Sequence, residues 1–202
     1  TRYTPDDPKA LKTMGSDIKV SSTPETIREM LRDITVSILR GCSKPDIDDK
    51  IMSFRRNMNQ TDINPLEYAS VMSVNKLEEY LEKYNRIELA GFGKVQLPMN
   101  VRSTINHNRC IEIFNDQNTQ AITSGSKIKI VWLMPNEYNF ESMAFSSDLE
   151  EFPVWFYKNF EVDIRATESK LVDQKLKNVF DPIGWEVPTA HTMNVKKLLS
   201  FD

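Results

Sequence analysis

The chain has 202 residues, 40% of them hydrophobic, and a formal net charge of −3. That length suits one domain, or one with a small appendage, and leaves room for a sizeable core. No run approaches the roughly 18 apolar residues of a membrane span, TRYTPDDPKA has no apolar signal core, and Cys42 and Cys110 make no metal motif and fit a reducing compartment.

Charge is unevenly spread. Residues 1–60 carry 11 basic and 9 acidic side chains, whereas residues 136–181 carry 5 basic and 10 acidic. A mildly basic front and an acidic back permit a nucleic-acid face without demanding one.

The opening TRYTPDDPKALKTMGSDIKVSS reads as two short extended segments around Gly15. Two strands alone bury no apolar face and are marginal in water, so they need a sheet from elsewhere. The next helix is predicted from Pro24 to Leu39. Thr23 suits its N-cap and Pro24 its first turn. Glu25 favours the positive end of the helix dipole. Ile27, Met30, Leu31, Ile34 and Ile38 form one apolar stripe, and Gly41 suits the stop. Two readings of the hydroxyl cluster before this helix stay open. It is either a plain cap or a phosphate site, since hydroxyls, free helix amides and nearby Lys19 all suit an anion.

Pro45 opens a second predicted helix with Ile47, Ile51 and Phe54 on one side. Asp46, Asp48 and Asp49 read as its exposed first turn rather than as a metal cluster. Leu66–Ser73 is predicted extended, Val74–Tyr84 helical, AGFGKVQLP a loop, and MNVRSTINHNRCIEIF a helix. KIKIVWLM alternates in character and predicts a strand, with MAFSS as its partner across PNEYN. Ile164–Phe180 is predicted helical, with Leu171, Val172, Leu176, Val179 and Phe180 on one face. DPIGWEVPTAHTMNV reads as a linker before KKLLSFD. The expected class is α+β and helix-rich.

Catalytic motifs are missing from the sequence. It has no GxxxxGK[ST] phosphate loop, no GxGxxG and no Ser-His-Asp order. His107 and His191 lack ligand partners at useful spacing.

Five stretches, in order, resemble the end of the palm and the thumb of family B replicative DNA polymerases of tailed bacteriophages. MGSDIKVSSTPETIREML resembles the junction where a Lys-x-Ser-Thr-Pro segment opens the first thumb helix. FGKVQLPMNVRSTINHNRCI resembles the thumb's Pro-x-His-x-Arg-Gly run: Pro98, Arg102 and Asn108 keep the pattern, while Asn100, Ser103 and His107 replace its His, Gly and Tyr. SGSKIKIVWL, then ESMAFSS, resembles the family's Gly-x-Lys-hydrophobic strand and its Ile-Ala-Phe/Trp-Pro strand, and LVDQKLKNVFDPIGW its terminal thumb helix. KKLLSFD resembles the C-terminal peptide that docks on a sliding clamp, in a shorter form with one aromatic.

The resemblance implies residues 1–22 as a palm hairpin, 23–185 as a thumb with a small β subdomain, and 186–202 as a flexible tail with the clamp peptide. It implies duplex DNA contacts at Lys19, Ser21, Ser22 and Thr23, then at Lys94, Arg102, Asn106, Asn108 and Arg109. Clamp contacts would fall on Leu198, Leu199 and Phe201. The implied partners are primer–template duplex, a polymerase chain bearing exonuclease, palm and fingers, and the sliding clamp. No catalytic residue and no cofactor are expected in this chain, because the catalytic aspartates and Mg2+ ions belong to the partner's palm. The hairpin strands would join that palm sheet by strand addition. The implied setting is the cytoplasm of an infected bacterium, with no membrane. The alternative is a non-catalytic replisome adaptor with a thumb-like fold that docks a clamp.

Overall fold

The computed structural model describes residues 2–4, 7–12, 17–60, 63–89 and 97–189. The chain divides into two compact units: residues 64–163 form one, and the segments on either side form the other.

The flanking unit begins with an antiparallel pair, β1 (Arg2–Thr4) and β2 (Asp7–Lys12). The hairpin therefore lies before Gly15 rather than around it. Asp17–Val20, expected as a strand, is a turn. Its anchor is Asp17, whose carboxylate accepts from Lys175 Nζ at 2.6 Å and Asn178 Nδ2 at 2.8 Å. Ile18 is buried beside it.

Helix α1 (Glu25–Leu39) buries Ile27, Met30, Leu31 and Ile34 of the stripe its spacing predicts and leaves Ile38 half-buried. It ends in a Schellman turn: Cys42 N–H donates to the Ser37 carbonyl and Gly41 N–H to the Ile38 carbonyl. Gly41 has φ of +77°, which a side chain would resist. Helix α2 (Lys44–Met58) follows, and its Ser43 side chain accepts from Asp46 N–H. Asp46 and Asp49 are exposed as expected, but Asp48 is buried and ion-paired with Lys44 at 2.7 Å.

The last helix of this unit is interrupted. Helix α6 (Ile164–Thr167) runs into a π-helical segment, Glu168–Asp173, and continues as α7 (Gln174–Phe180). Both α2 and α7 pack against α1. Gly184, with φ of +70°, turns the chain so that Trp185 meets the Phe180 ring at 5.7 Å.

The central unit is built on a three-stranded antiparallel sheet in the order β3 (Ser70–Ser73), β4 (Lys127–Trp132), β5 (Ser142–Ser146). The β4–β5 hairpin matches expectation, with Ile130 opposite Ala144. The strand period of two sends Ile128, Ile130 and Ala144 into one core cluster, with Val74, Leu77 and Val101. Val131, Met143 and Phe145 enter a second, aromatic-rich cluster with Phe152, Trp155 and Phe160. Burial of β5 on both faces explains why it loses the polar alternation of a half-exposed strand.

Three helices complete the unit. Helix α3 spans Leu77–Leu89, starting three residues later than predicted. A short 3-10 turn at Pro65–Tyr68 stands where extended chain was expected. Helix α4 (Met99–Ile113) is as predicted and packs on β5. The six-residue α5 (Val154–Asn159) had no counterpart in the sequence reading. The fold is α+β and helix-rich.

Candidate nucleic-acid interface

The first predicted patch sits at the entrance to α1. Lys19 and Ser21 are exposed and Ser22 is half-buried. Thr23 is different. Pro24 adopts an extended ψ of 146° and takes the N-cap position itself, so no side chain caps α1. This places Thr23 one residue further out, 1% exposed, with its Oγ1 making no hydrogen bond. Thr23 is therefore neither the cap nor an accessible phosphate contact. The cap expectation failed because proline's fixed φ suits either position, and only ψ decides between them.

The second patch lies on α4. This helix also opens on a proline in the N-cap position, Pro98, with no side-chain cap. Arg102 follows in the first turns with its side chain 48% exposed, paired with Glu141 at 3.1 Å. Such a solvated pair is worth about 0–1 kcal/mol, so it holds the guanidinium only loosely. Arg109 is exposed too.

The two asparagines grouped with these arginines serve the fold instead. Asn106 is buried and donates to the Ser142 carbonyl at 2.9 Å. Asn108 donates to the Ile122 carbonyl at 2.9 Å and accepts from Ile122 N–H at 2.8 Å. Their amides are spent on the sheet and on the loop before β4, so neither is an exposed DNA contact. The resemblance grouped them with Arg102, but at four and six residues from it their amides reach the sheet and the loop before β4 instead.

The buried side of α4 is polar, which sequence patterning hides. Ser103 Oγ meets Ser142 Oγ at 2.7 Å, and Thr104 Oγ1 donates to the Asn100 carbonyl at 2.8 Å. His107 is 2% exposed, with Nε2 3.4 Å from the Gln120 carbonyl and Nδ1 unpartnered. Burial pulls its pKa down to about 4, so the ring is neutral. Burial also pushes the Cys110 thiol up to about 12, which makes it inert.

Lys94 and the tail residues Leu198, Leu199 and Phe201 lie outside the described residues. Among the described residues no group of His, Cys, Asp or Glu side chains is placed to hold a metal ion. No helix among them is long and apolar enough to cross a membrane. The sequence reading missed Asp17 as the latch between the α1 approach and α7. Its only sequence signal is an acidic residue beside Gly15 and Ser16, which marks a turn but not its partners. No protein-family model matches this sequence, and no curated protein matches it either.

Proposed function

We propose that this chain is the thumb-bearing part of a family B viral DNA polymerase, gripping primer–template duplex by its phosphates. One observation carries the reading. Both stretches that resemble DNA-contacting motifs open fifteen-residue helices on a proline with no side-chain cap, beside exposed cations. Uncapped first turns present backbone N–H groups and the positive end of the dipole, the groups an anionic phosphate oxygen requires.

In this reading Lys19 and Ser21 flank the α1 site, and Arg102 and Arg109 serve the α4 site. Exchanging Glu141 for a phosphate costs Arg102 little, because the existing pair is solvated. Such contacts carry no base information directly, as an enzyme that copies any template needs. The chain's task is positioning: an error near 1 Å in the primer end can cost about 100-fold in rate. Nucleotidyl transfer and its Mg2+ ions belong to the partner's palm. The β1–β2 pair supports that partnership, since a two-stranded sheet is marginal alone. The tail residues Leu198, Leu199 and Phe201 would dock the sliding clamp, in the cytoplasm of an infected bacterium.

Affinity purification of the tagged chain from infected cells tests this. The expected result is an equimolar companion chain bearing palm aspartates, with primer extension by the pair and none by either chain alone. A clamp recovered without any polymerase chain would favour the adaptor alternative.

A further inference from the structure

We propose that the cleft between the Asn115–Thr119 loop and α5 docks a basic protein segment that carries one apolar or aromatic anchor side chain. The cleft has a volume of about 750 Å³, and Phe114, Asp116, Glu151, Val154, Trp155 and Lys158 are among its walls. It lies wholly within the central unit. It belongs to neither predicted DNA patch, and the inference does not depend on the polymerase reading.

Helix α5 explains the apolar half of the site. Trp155 and Phe156 turn inward to the aromatic cluster, which fixes the helix. The same short helix then leaves Val154, which lines the cleft, 70% exposed, the most exposed of the described large apolar side chains. The floor is rigid. Trp155 Nε1 donates to the Asp116 carboxylate at 2.9 Å, which also accepts from Asn118 N–H at 2.8 Å. The ring of Trp155 stacks on Phe114 at 5.5 Å. A cleft held open this way loses little freedom on binding.

Charge selects the occupant. The charged side chains lining the cleft are two carboxylates, Asp116 and Glu151, and one cation, Lys158. Glu150 and Glu151 are exposed directly before α5, and Glu151 lines the cleft. Helix α5 opens on Pro153 without a side-chain cap, as α1 and α4 do, but carboxylates rather than cations precede it. Nucleic acid and anionic lipid are repelled by this field, whereas a Lys- or Arg-bearing segment is drawn in. One large side chain reaching Val154 then supplies the anchor, since a few buried groups dominate such contacts.

The test uses the full chain, isotope-labelled, and two synthetic peptides. One has four lysines around a central tryptophan; the other has glycine at the centre. Amide shifts are followed at about 50 mM and about 300 mM salt. The tryptophan peptide is expected to shift residues 115–119 and 151–159 and to bind roughly fivefold tighter than the glycine peptide. Higher salt and the double change Glu150→Lys, Glu151→Lys should each weaken it, the latter roughly tenfold. Val154→Ser should weaken it about threefold. Equal affinity for the two peptides, shifts confined to other surfaces, or no response to charge reversal overturns the proposal. So does a DNA duplex that shifts the same amides. The wild-type shift map stands even if a variant fails to fold.

Discussion

At the scale of single residues, Thr23 and His107 show how burial reassigns side chains whose type suggests a site. The Thr23 hydroxyl is enclosed without a partner, and an unsatisfied buried hydroxyl costs about 1–3 kcal/mol. Thr23→Val removes that hydroxyl while nearly keeping its shape. The variant should unfold at the same or higher urea concentration, by up to about 1 kcal/mol, with duplex affinity unchanged. Marked destabilisation would show that the hydroxyl has a partner after all. His107 predicts a pH dependence. Its folded pKa, about 4, lies below the ordinary 6.5, so the unfolded chain takes up the proton first as pH falls. Stability from this group is complete above about pH 6.5 and lost on the way down, by about 3 kcal/mol at pH 4. Urea titrations between pH 7 and pH 4 check this, and His107→Phe should flatten that part of the profile. An unaltered profile in the variant would assign the acid sensitivity elsewhere.

Among the elements, the π-helical segment has the clearest consequence. Arg55 on α2 is buried, and its guanidinium pairs with both Glu168 and Asp173. Burial works against its charge, but the hydrogen bonds it donates to those carboxylates, and their negative charge, outweigh it and raise the pKa. The carboxylates are five residues apart, a spacing that points in different directions on an α-helix. Bonding from i to i+5 stacks them on one side, so the π segment is what lets one guanidinium reach both. Arg55→Ala should destabilise the chain by roughly 1–2 kcal/mol, measured by urea denaturation, because it leaves two half-buried carboxylates without their cation. A loss below about 0.5 kcal/mol would reduce the pair to a solvated one. None of this was legible in the sequence, where Ile164–Phe180 reads as one regular helix. By contrast α1, α4 and the β4–β5 hairpin were legible, because their periodicity answers to one buried face or to strand alternation. Helix α5 was missed because VWFYKN is too short for a helical period to register. At the candidate site, exposure at Lys19, Ser21, Arg102 and Arg109 followed from charge and hydroxyl character, but the burial of Asn106 depends on a strand 36 residues away.

For the whole molecule, the charge asymmetry now has surfaces attached to it. Exposed Lys19 and Arg102 stand near uncapped helix starts, Arg109 lies further along α4, and exposed Glu150 and Glu151 precede α5. An overall charge of −3 makes indiscriminate nucleic-acid binding weak, so the proposed duplex grip rests on local cations such as these. The purified chain should therefore bind short primer–template duplexes of different sequence about equally. The most direct measurement is the dependence of that affinity on salt for the wild type, Lys19→Ala and Arg102→Ala. Each substitution is expected to weaken binding to every duplex alike and to reduce the slope of log affinity against log salt by roughly one. No duplex binding by the wild type, or a loss confined to particular sequences, would contradict the phosphate-gripping account.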